Sequence, residues 1–193
     1  CIRDRNNITQ LNDYYNVDNP ANTNWQDEVL RTGFSHNHNV SINGGNEKTN
    51  YSASLNFQDR EGVVRGTNMD RLNARTFVQT KALNNRLELA LSLNASIRNS
   101  STGPTDIQGR SVLDAMYYYN PLVPVKNEDG TWYRNLNISQ NYNPLSMINE
   151  DRYDTKEKLL QGTAQATLHI IDGLDWNLNL SYQNQQYIYN IYN

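Results

Sequence analysis

The chain has 193 residues, with 17 basic and 20 acidic side chains and a net charge of −3. This balance excludes a nucleic-acid partner, whose phosphates need clustered Lys and Arg, and the single cysteine excludes an internal disulfide. Asn and Gln together account for 42 residues, so the polarity of the chain is mostly uncharged and requires a structural explanation.

Membrane-spanning helices are not predicted, because no run of 18 apolar residues occurs. A spanning β-strand needs only ~10 residues of alternating hydrophobicity, so an outer-membrane location stays open. No Cys and His spacing indicates a structural zinc site, and no nucleophile or nucleotide-binding motif is found. We therefore expect a non-enzymatic protein without a metal or cofactor.

Residues 1–33 are expected to form a loop, since Asn, Asp and Pro interrupt every apolar pattern there. Within this loop, residues 25–31 predict a short helix with Asn24 as its N-cap. Cys1 could carry a lipid anchor, but no lipobox precedes it. The favoured interpretation is that Cys1 is only the first residue of a fragment.

A two-residue period begins at Phe34 and predicts three β-hairpins. In each hairpin, apolar residues occupy alternate positions and Asn, Gln, Ser or Thr fill most of the others. The paired strands are expected at residues 34–43 and 51–58, at 71–79 and 87–97, and at 160–170 and 174–183. The corresponding turns are expected at 44–49, 82–86 and 172–175.

The connections alternate in length, with short turns inside the hairpins and longer segments at 59–71 and 98–158 between them. This alternation is typical of an up-and-down outer-membrane barrel, whose periplasmic turns are short and whose external loops are long. We predict an all-β, antiparallel transmembrane β-barrel segment with its apolar face toward lipid. Polar faces lining a wet lumen would explain the many amides. Tyr51 and Trp176 are expected at the membrane interface.

The segment 98–158 is expected to be a long, partly helical external loop. Residues 111–119 predict a short helix that ends before Asn120-Pro121, and residues 127–130 predict a turn. Six aromatic residues are candidates for contact with a ligand or partner protein, because aromatic rings stack on sugars and peptide side chains. They are Tyr117, Tyr118, Tyr119, Trp132, Tyr133 and Tyr142. A small core that merely holds the loop together fits them equally well.

The sequence resembles SusC/RagA-type TonB-dependent outer-membrane transporters of Bacteroidetes. Seven segments carry this resemblance in the order of the family: TNWQDEVLR (23–31), FSHNHNVSINGGNEK (34–48), YSASLNFQDREGVV (51–64), LELALSLNA (87–95), Tyr119-Asn120-Pro121, NEDGTWY (127–133) and Asn143-Pro144. The resemblance covers roughly residues 23–183. The turn Asn43-Gly44-Gly45-Asn46 followed by Asp59-Arg60-Glu61-Gly62 is a fairly specific part of it.

The resemblance implies a ~22-stranded barrel that imports oligosaccharide or peptide with a SusD-like lipoprotein and is energised by the TonB complex through a plug domain. Residues 34–193 would then be about six strands of the early barrel, roughly the second to the seventh, and residues 1–33 an external loop leading into it. The plug domain is expected to be absent from these 193 residues.

Other functional interpretations are weaker. His36 and His38 share a strand face, but a metal site needs a third ligand, so ordinary barrel-wall residues are favoured. Asp59, Glu61 and Asp70 could be imagined as a glycosidase pair, although charged loop residues in solvent explain them better. The alternative from another class is a soluble secreted β-sandwich that binds carbohydrate or acts as an adhesin.

Overall fold

The computed structural model describes residues 21–103, 111–134 and 142–192. In these ranges the chain forms one antiparallel sheet of six strands in sequence order, each hydrogen-bonded to its neighbours along the chain. The strands are β1 (Ser35–Gly45), β2 (Thr49–Glu61), β3 (Asn68–Ala82), β4 (Leu87–Thr102), β5 (Arg152–Ile171) and β6 (Leu174–Tyr192). The predicted all-β, up-and-down arrangement is confirmed.

Three short helices accompany the sheet in the described ranges: α1 (Trp25–Val29), α2 (Val112–Tyr118) and α3 (Pro144–Glu150). The predicted N-cap of α1 is confirmed, because the Asn24 side chain accepts from the backbone N–H of Gln26. Helix α2 begins with a capping box between Ser111 and Asp114. No helix in the described ranges is long and apolar enough to cross a bilayer.

The strand register sorts the side chains into two faces. One row across the sheet joins Tyr51, Val78, Leu91, Ala164 and Leu180. The next row, on the opposite face, joins Ser52, Phe77, Ser92, Thr163 and Ser181. We name the first the apolar face and the second the polar face.

The apolar face is not covered by a second layer in the described part of the chain. Leu91 lies on a central strand, yet its side chain is 48% exposed. Val40 and Leu180 are also exposed. A sandwich would bury these positions between two sheets, and the described residues form a single sheet. The β-sandwich alternative is therefore wrong for this part of the chain.

Several strands are longer than the sequence pattern predicts. Strand β3 begins at Asn68 instead of about Arg71, and β6 continues past Gln183 to Tyr192. Between β4 and β5 the connection is residues 103–151 and not 98–158, and between β2 and β3 it shrinks to 62–67. These extensions lack the strict alternation of apolar and polar residues, since β6 places Ile188 and Tyr189 next to each other on opposite faces. Backbone hydrogen bonding therefore continues where the two-residue period has already ended.

The three short connections, residues 46–48, 83–86 and 172–173, lie at one end of the sheet, which we name the turn end. The opposite end, where the two longer connections lie, is the loop end. In the turn 83–86, Leu83, Asn84 and Asn85 all have positive φ, at 51°, 56° and 67°. Asn tolerates this left-handed conformation, whereas Leu is strained by it.

Replacing Leu83 by Asn should therefore stabilise the protein. The left-handed conformation costs a residue with a β-carbon about 1–2 kcal/mol. Because Asn tolerates this conformation better than Leu, we expect the free energy of unfolding to rise by about 0.5–1 kcal/mol. Urea titration of the folded protein measures this free energy of unfolding. The control Leu83→Ala removes the exposed apolar side chain but keeps the strain, so it should gain less than Leu83→Asn. Lower stability of Leu83→Asn would contradict the strained turn.

Candidate functional site

The helices and the long connection form a compact unit at the loop end, which we name the loop cap (residues 21–33, 111–134 and 142–151). Its first cluster joins buried residues of all three helices: Val29, Val112, Ala115, Leu145 and Met147. Val29 and Met147 are almost fully buried. The only buried apolar clusters in the described part of the chain lie here and not on the sheet.

A second cluster of the loop cap is built from Trp25, Tyr119 and Val123. The rings of Trp25 and Tyr119 meet edge to face, with centroids 4.8 Å apart. Trp25 Nε1 donates to the backbone oxygen of Asn120 at 2.9 Å, and Tyr119 Oη donates to that of Tyr133 at 2.9 Å. Burial raises the pKa of the Tyr119 phenol. Both aromatic residues are thus structural anchors with their polar atoms satisfied.

Asn143 connects the two clusters and is fully buried, with 0% of its surface exposed. Its side-chain oxygen accepts from the backbone N–H of Leu145, which caps α3. Its side-chain nitrogen donates to the backbone oxygens of Val125 at 2.8 Å and Tyr133 at 3.3 Å. Helix α3 was not predicted, although Asn followed by Pro is a helix-start signal.

The predicted turn at residues 127–130 is present and carries a short excursion. Lys126 and Trp132 form an isolated β-bridge, and the Lys126 ammonium lies 4.5 Å from the centre of the Trp132 ring. Asp129 accepts from the backbone and side chain of Thr131. These hydrogen bonds hold the pKa of the Asp129 carboxyl below its usual value. The excursion is therefore an ordered part of the loop cap.

The six candidate aromatic residues fall into two groups. Tyr119 is buried in the second cluster, and Trp132, Tyr133 and Tyr142 pack partly buried against one cluster or the other. Tyr117 and Tyr118 instead point away from both clusters, with 75% and 74% of their surface exposed. Their rings meet edge to face at 5.1 Å. A contact role for any of the six stays a prediction, and only this exposed pair offers whole rings to another molecule.

The two expected interface aromatics, Tyr51 and Trp176, both lie on the apolar face toward the turn end. Each is about half exposed. Tyr51 lies across Gly44, where an added β-carbon would come within 2.6 Å of the Tyr51 hydroxyl oxygen. Glycine at position 44 thus makes room for the ring. Their role at a membrane interface stays a prediction.

His36 and the acidic residues of the loop end form ordinary pairs. His36 Nε2 lies 3.6 Å from Asp59 Oδ2, Asp70 accepts from Asn99 at 2.7 Å, and Glu61 lies 3.8 Å from Arg31. No group of three or more His, Cys, Asp or Glu side chains within residues 21–103, 111–134 and 142–192 is placed to hold a metal ion. Cys1 lies outside the described residues.

The polar face contains charged residues that the sequence analysis passed over. A concavity of about 610 Å³ lies on this face, and Ser54, Arg75, Asn94 and Gln161 are among its lining residues. Toward the loop end, Arg71 and Arg98 face each other across β3 and β4. Arg98 pairs with Glu157 at 2.7 Å. The sequence pattern could have predicted part of this group, because positions 71 and 75 share a face of β3.

Substitutions at Asn143 should separate its two roles in the loop cap. Asn143→Ala removes the helix cap and leaves two buried carbonyls without donors, so we expect local stability to fall by about 2–4 kcal/mol. Asn143→Asp keeps the cap acceptor but turns both amide donors into acceptors, and should be at least as destabilising. Hydrogen exchange of the α1 and α3 backbone amides measures the effect. Wild-type protection in Asn143→Asp would mean that only the cap matters.

The chain is similar in sequence to TonB-dependent receptors. No protein-family model matches the chain. Among individual proteins, TonB-dependent receptor P3 of Formosa agariphila is 26% identical over 174 residues, which covers 88% of this chain and 17% of that protein. TonB-dependent receptor SusC of Bacteroides thetaiotaomicron is 32% identical over 131 residues, covering 63% of this chain and 12% of SusC. The chain therefore spans less than a fifth of these relatives.

Solved structures of the RagAB peptide importer share the fold. Its open-open state superposes with a TM-score of 0.70 and 16% identity, covering 86% of this chain and 19% of the matched chain. The closed-closed state gives a TM-score of 0.66, with 17% identity and coverage of 87% and 19%. The resemblance that the motifs indicate is thus confirmed in sequence and in fold, and the chain is similar to a barrel segment of SusC/RagA-type TonB-dependent receptors.

Proposed function

We propose that this chain forms part of the wall and external loops of a TonB-dependent transporter in the outer membrane of a Gram-negative bacterium. The observation that carries the proposal is the two-faced sheet, whose apolar face has no covering layer among the described residues. The 32% identity to a TonB-dependent receptor over 131 residues supports it. The transporter would import oligosaccharide or peptide nutrients, and no catalytic role is proposed for it.

The height of the apolar face matches a bilayer. On β4, alternate apolar positions run from Leu87 to Ile97, and the next residue on that face is Asn99. Ten residue steps of ~3.4 Å on strands tilted by ~40° rise ~26 Å. Outer-membrane barrels present an apolar band ~25 Å tall. The apolar face therefore fits the lipid-facing side of the barrel wall.

The polar face would line the lumen. Amides and hydroxyls are well solvated in a water-filled passage, whereas a packed core would require a hydrogen-bond partner for each. Asn56, for example, donates a side-chain hydrogen bond to the exposed Asn37 across β1 and β2. Because these amides would face water, a chain rich in Asn and Gln would need no large packed core.

The loop cap would lie on the external side, where a SusD-like lipoprotein and the ligand approach. Its two clusters and the Asn143 hydrogen bonds keep it rigid, so the exposed Tyr117–Tyr118 pair is held in place before any contact forms. Preorganised aromatic side chains lose little entropy on binding. Energy would come from the TonB complex acting through a plug domain.

Spin labels at Leu91 and Ser92 should report opposite environments. These neighbours on β4 lie on the apolar and polar faces, so a label at 91 should be accessible to oxygen in lipid, and one at 92 to a water-soluble nickel chelate. The measurement uses the complete transporter in liposomes, in a background whose native cysteines, Cys1 included, are replaced by serine. Accessibility of position 91 to nickel, or exclusion of both reagents from it, would contradict a lipid-facing sheet.

Removing the exposed tyrosine pair should weaken ligand or lipoprotein binding without unfolding the loop cap. Alanine at both Tyr117 and Tyr118 should reduce affinity by about tenfold or more, since buried interface aromatics each contribute more than about 1 kcal/mol. Copurification with the lipoprotein and transporter-dependent growth measure the effect. Leu113→Ala on the same helix is the matched control, because Leu113 is also exposed. Unchanged binding and growth at equal abundance would reject the contact role.

A further inference from the structure

The polar face carries an unbalanced charge row near the loop end. In the strand register, Gln58, Arg71, Arg98, Glu157 and Tyr187 are successive partners from β2 to β6. Two guanidinium groups therefore stand on directly opposite residues of β3 and β4. Like charges in this arrangement destabilise a sheet unless an anion lies between them.

Glu157 is the one acidic residue of this row, and both of its carboxylate oxygens already have partners. Glu157 Oε2 lies 2.7 Å from Arg98 Nη2. Glu157 Oε1 accepts from Gln185 Nε2 at 2.6 Å and from the Tyr187 hydroxyl at 3.1 Å. The row thus holds two cations and one anion, and the anion is directed toward Arg98.

Among the described residues, Arg71 makes no close ion pair of its own, and its one charge partner is the more distant Glu157 carboxylate, which Arg98 already contacts. The Nε atom of Arg71 is inaccessible to solvent and has no hydrogen-bond acceptor, and the Nε atom of Arg98 is in the same state. A buried guanidinium N–H without an acceptor is costly. The planar guanidinium fork prefers a bidentate oxyanion, and carboxylates have this geometry.

We infer that Arg71 and Arg98 form a binding site for a carboxylate group of a solute moving along the polar face. The neighbouring positions suit such a solute, because Asn73 and Ser96 come next on the same face, followed by Arg75 and Asn94. Arg75 and Asn94 line the concavity of about 610 Å³. The site selects acidic oligosaccharides or acidic peptides over neutral ones.

This inference rests on the proposed function, since the polar face must line the passage for a solute to reach the arginines. The spin-label measurement at Leu91 and Ser92 tests that orientation separately. A transporter with the expected orientation but no carboxylate site would therefore be distinguished from a chain that is not a barrel wall.

Arginine modification with phenylglyoxal tests the site in the complete transporter in detergent at low salt. Mass spectrometry follows the modification rate at Arg71 and Arg98, with citrate as the carboxylate probe and glycerol as the neutral one. Arg86 is the internal reference, because it is exposed in the short turn at the opposite end of the sheet. Citrate should slow modification of Arg71 by about threefold or more relative to Arg86, since charge-assisted hydrogen bonds are strong.

The same experiment is repeated at high salt and with a Glu157→Gln variant. Salt at about 0.5 M should abolish the protection, because the attraction between the separated charges is screened. Glu157→Gln should increase protection at Arg98, because it removes the competing carboxylate and keeps an amide in its place. Equal rates with and without citrate would overturn the inference. An Arg71 that never reacts would overturn it too, since another segment of the protein would then cover it.

Discussion

The antiparallel hydrogen-bond ladder is the constraint on which the rest of the structure depends. Because neighbouring side chains on a strand point to opposite faces, the register from β1 to β6 places most apolar residues on one side and most amides on the other. It is regular except for one irregularity between His169 and Ile171, close to the turn between β5 and β6. A shift of one residue in any strand would bring Ser or Asn onto the apolar face. The two faces of the sheet, its concavity and its arginine row all follow from this register.

The apolar residues of the chain serve two different purposes. On the sheet they form the apolar face, where residues such as Leu91 stay about half exposed. In the loop cap they form two small buried clusters around Met147 and Tyr119. In the proposed transporter, a wall between lipid and water would need no packed interior, whereas a loop unit in water would need one to offset its conformational entropy. Only 37% of the residues are hydrophobic, which is consistent with this division.

The sequence pattern predicted the strands correctly where apolar and polar residues alternate strictly. It did not predict the strand ends, where this alternation stops. The middle of each strand was predictable, since Leu87 to Ile97 alternates without interruption. The strand ends were not predictable, because apolar and polar residues do not alternate around Asn68 and Thr155. The sequence there resembles a loop. The exposed tyrosine pair could not be separated from Tyr119, which follows it directly, since one residue on a helix rotates the side chain from solvent into the cluster.

The sequence by itself determined the fold class, the two chemical faces of the strands and the family resemblance, because these depend on local period and short motifs. Only the tertiary structure decided which aromatics are buried, how Asn143 joins two distant carbonyls and that Arg71 stands opposite Arg98. These relations depend on the pairing of residues far apart in the chain. Strand register sets that pairing, and register is a property of the assembled sheet and not of any single strand.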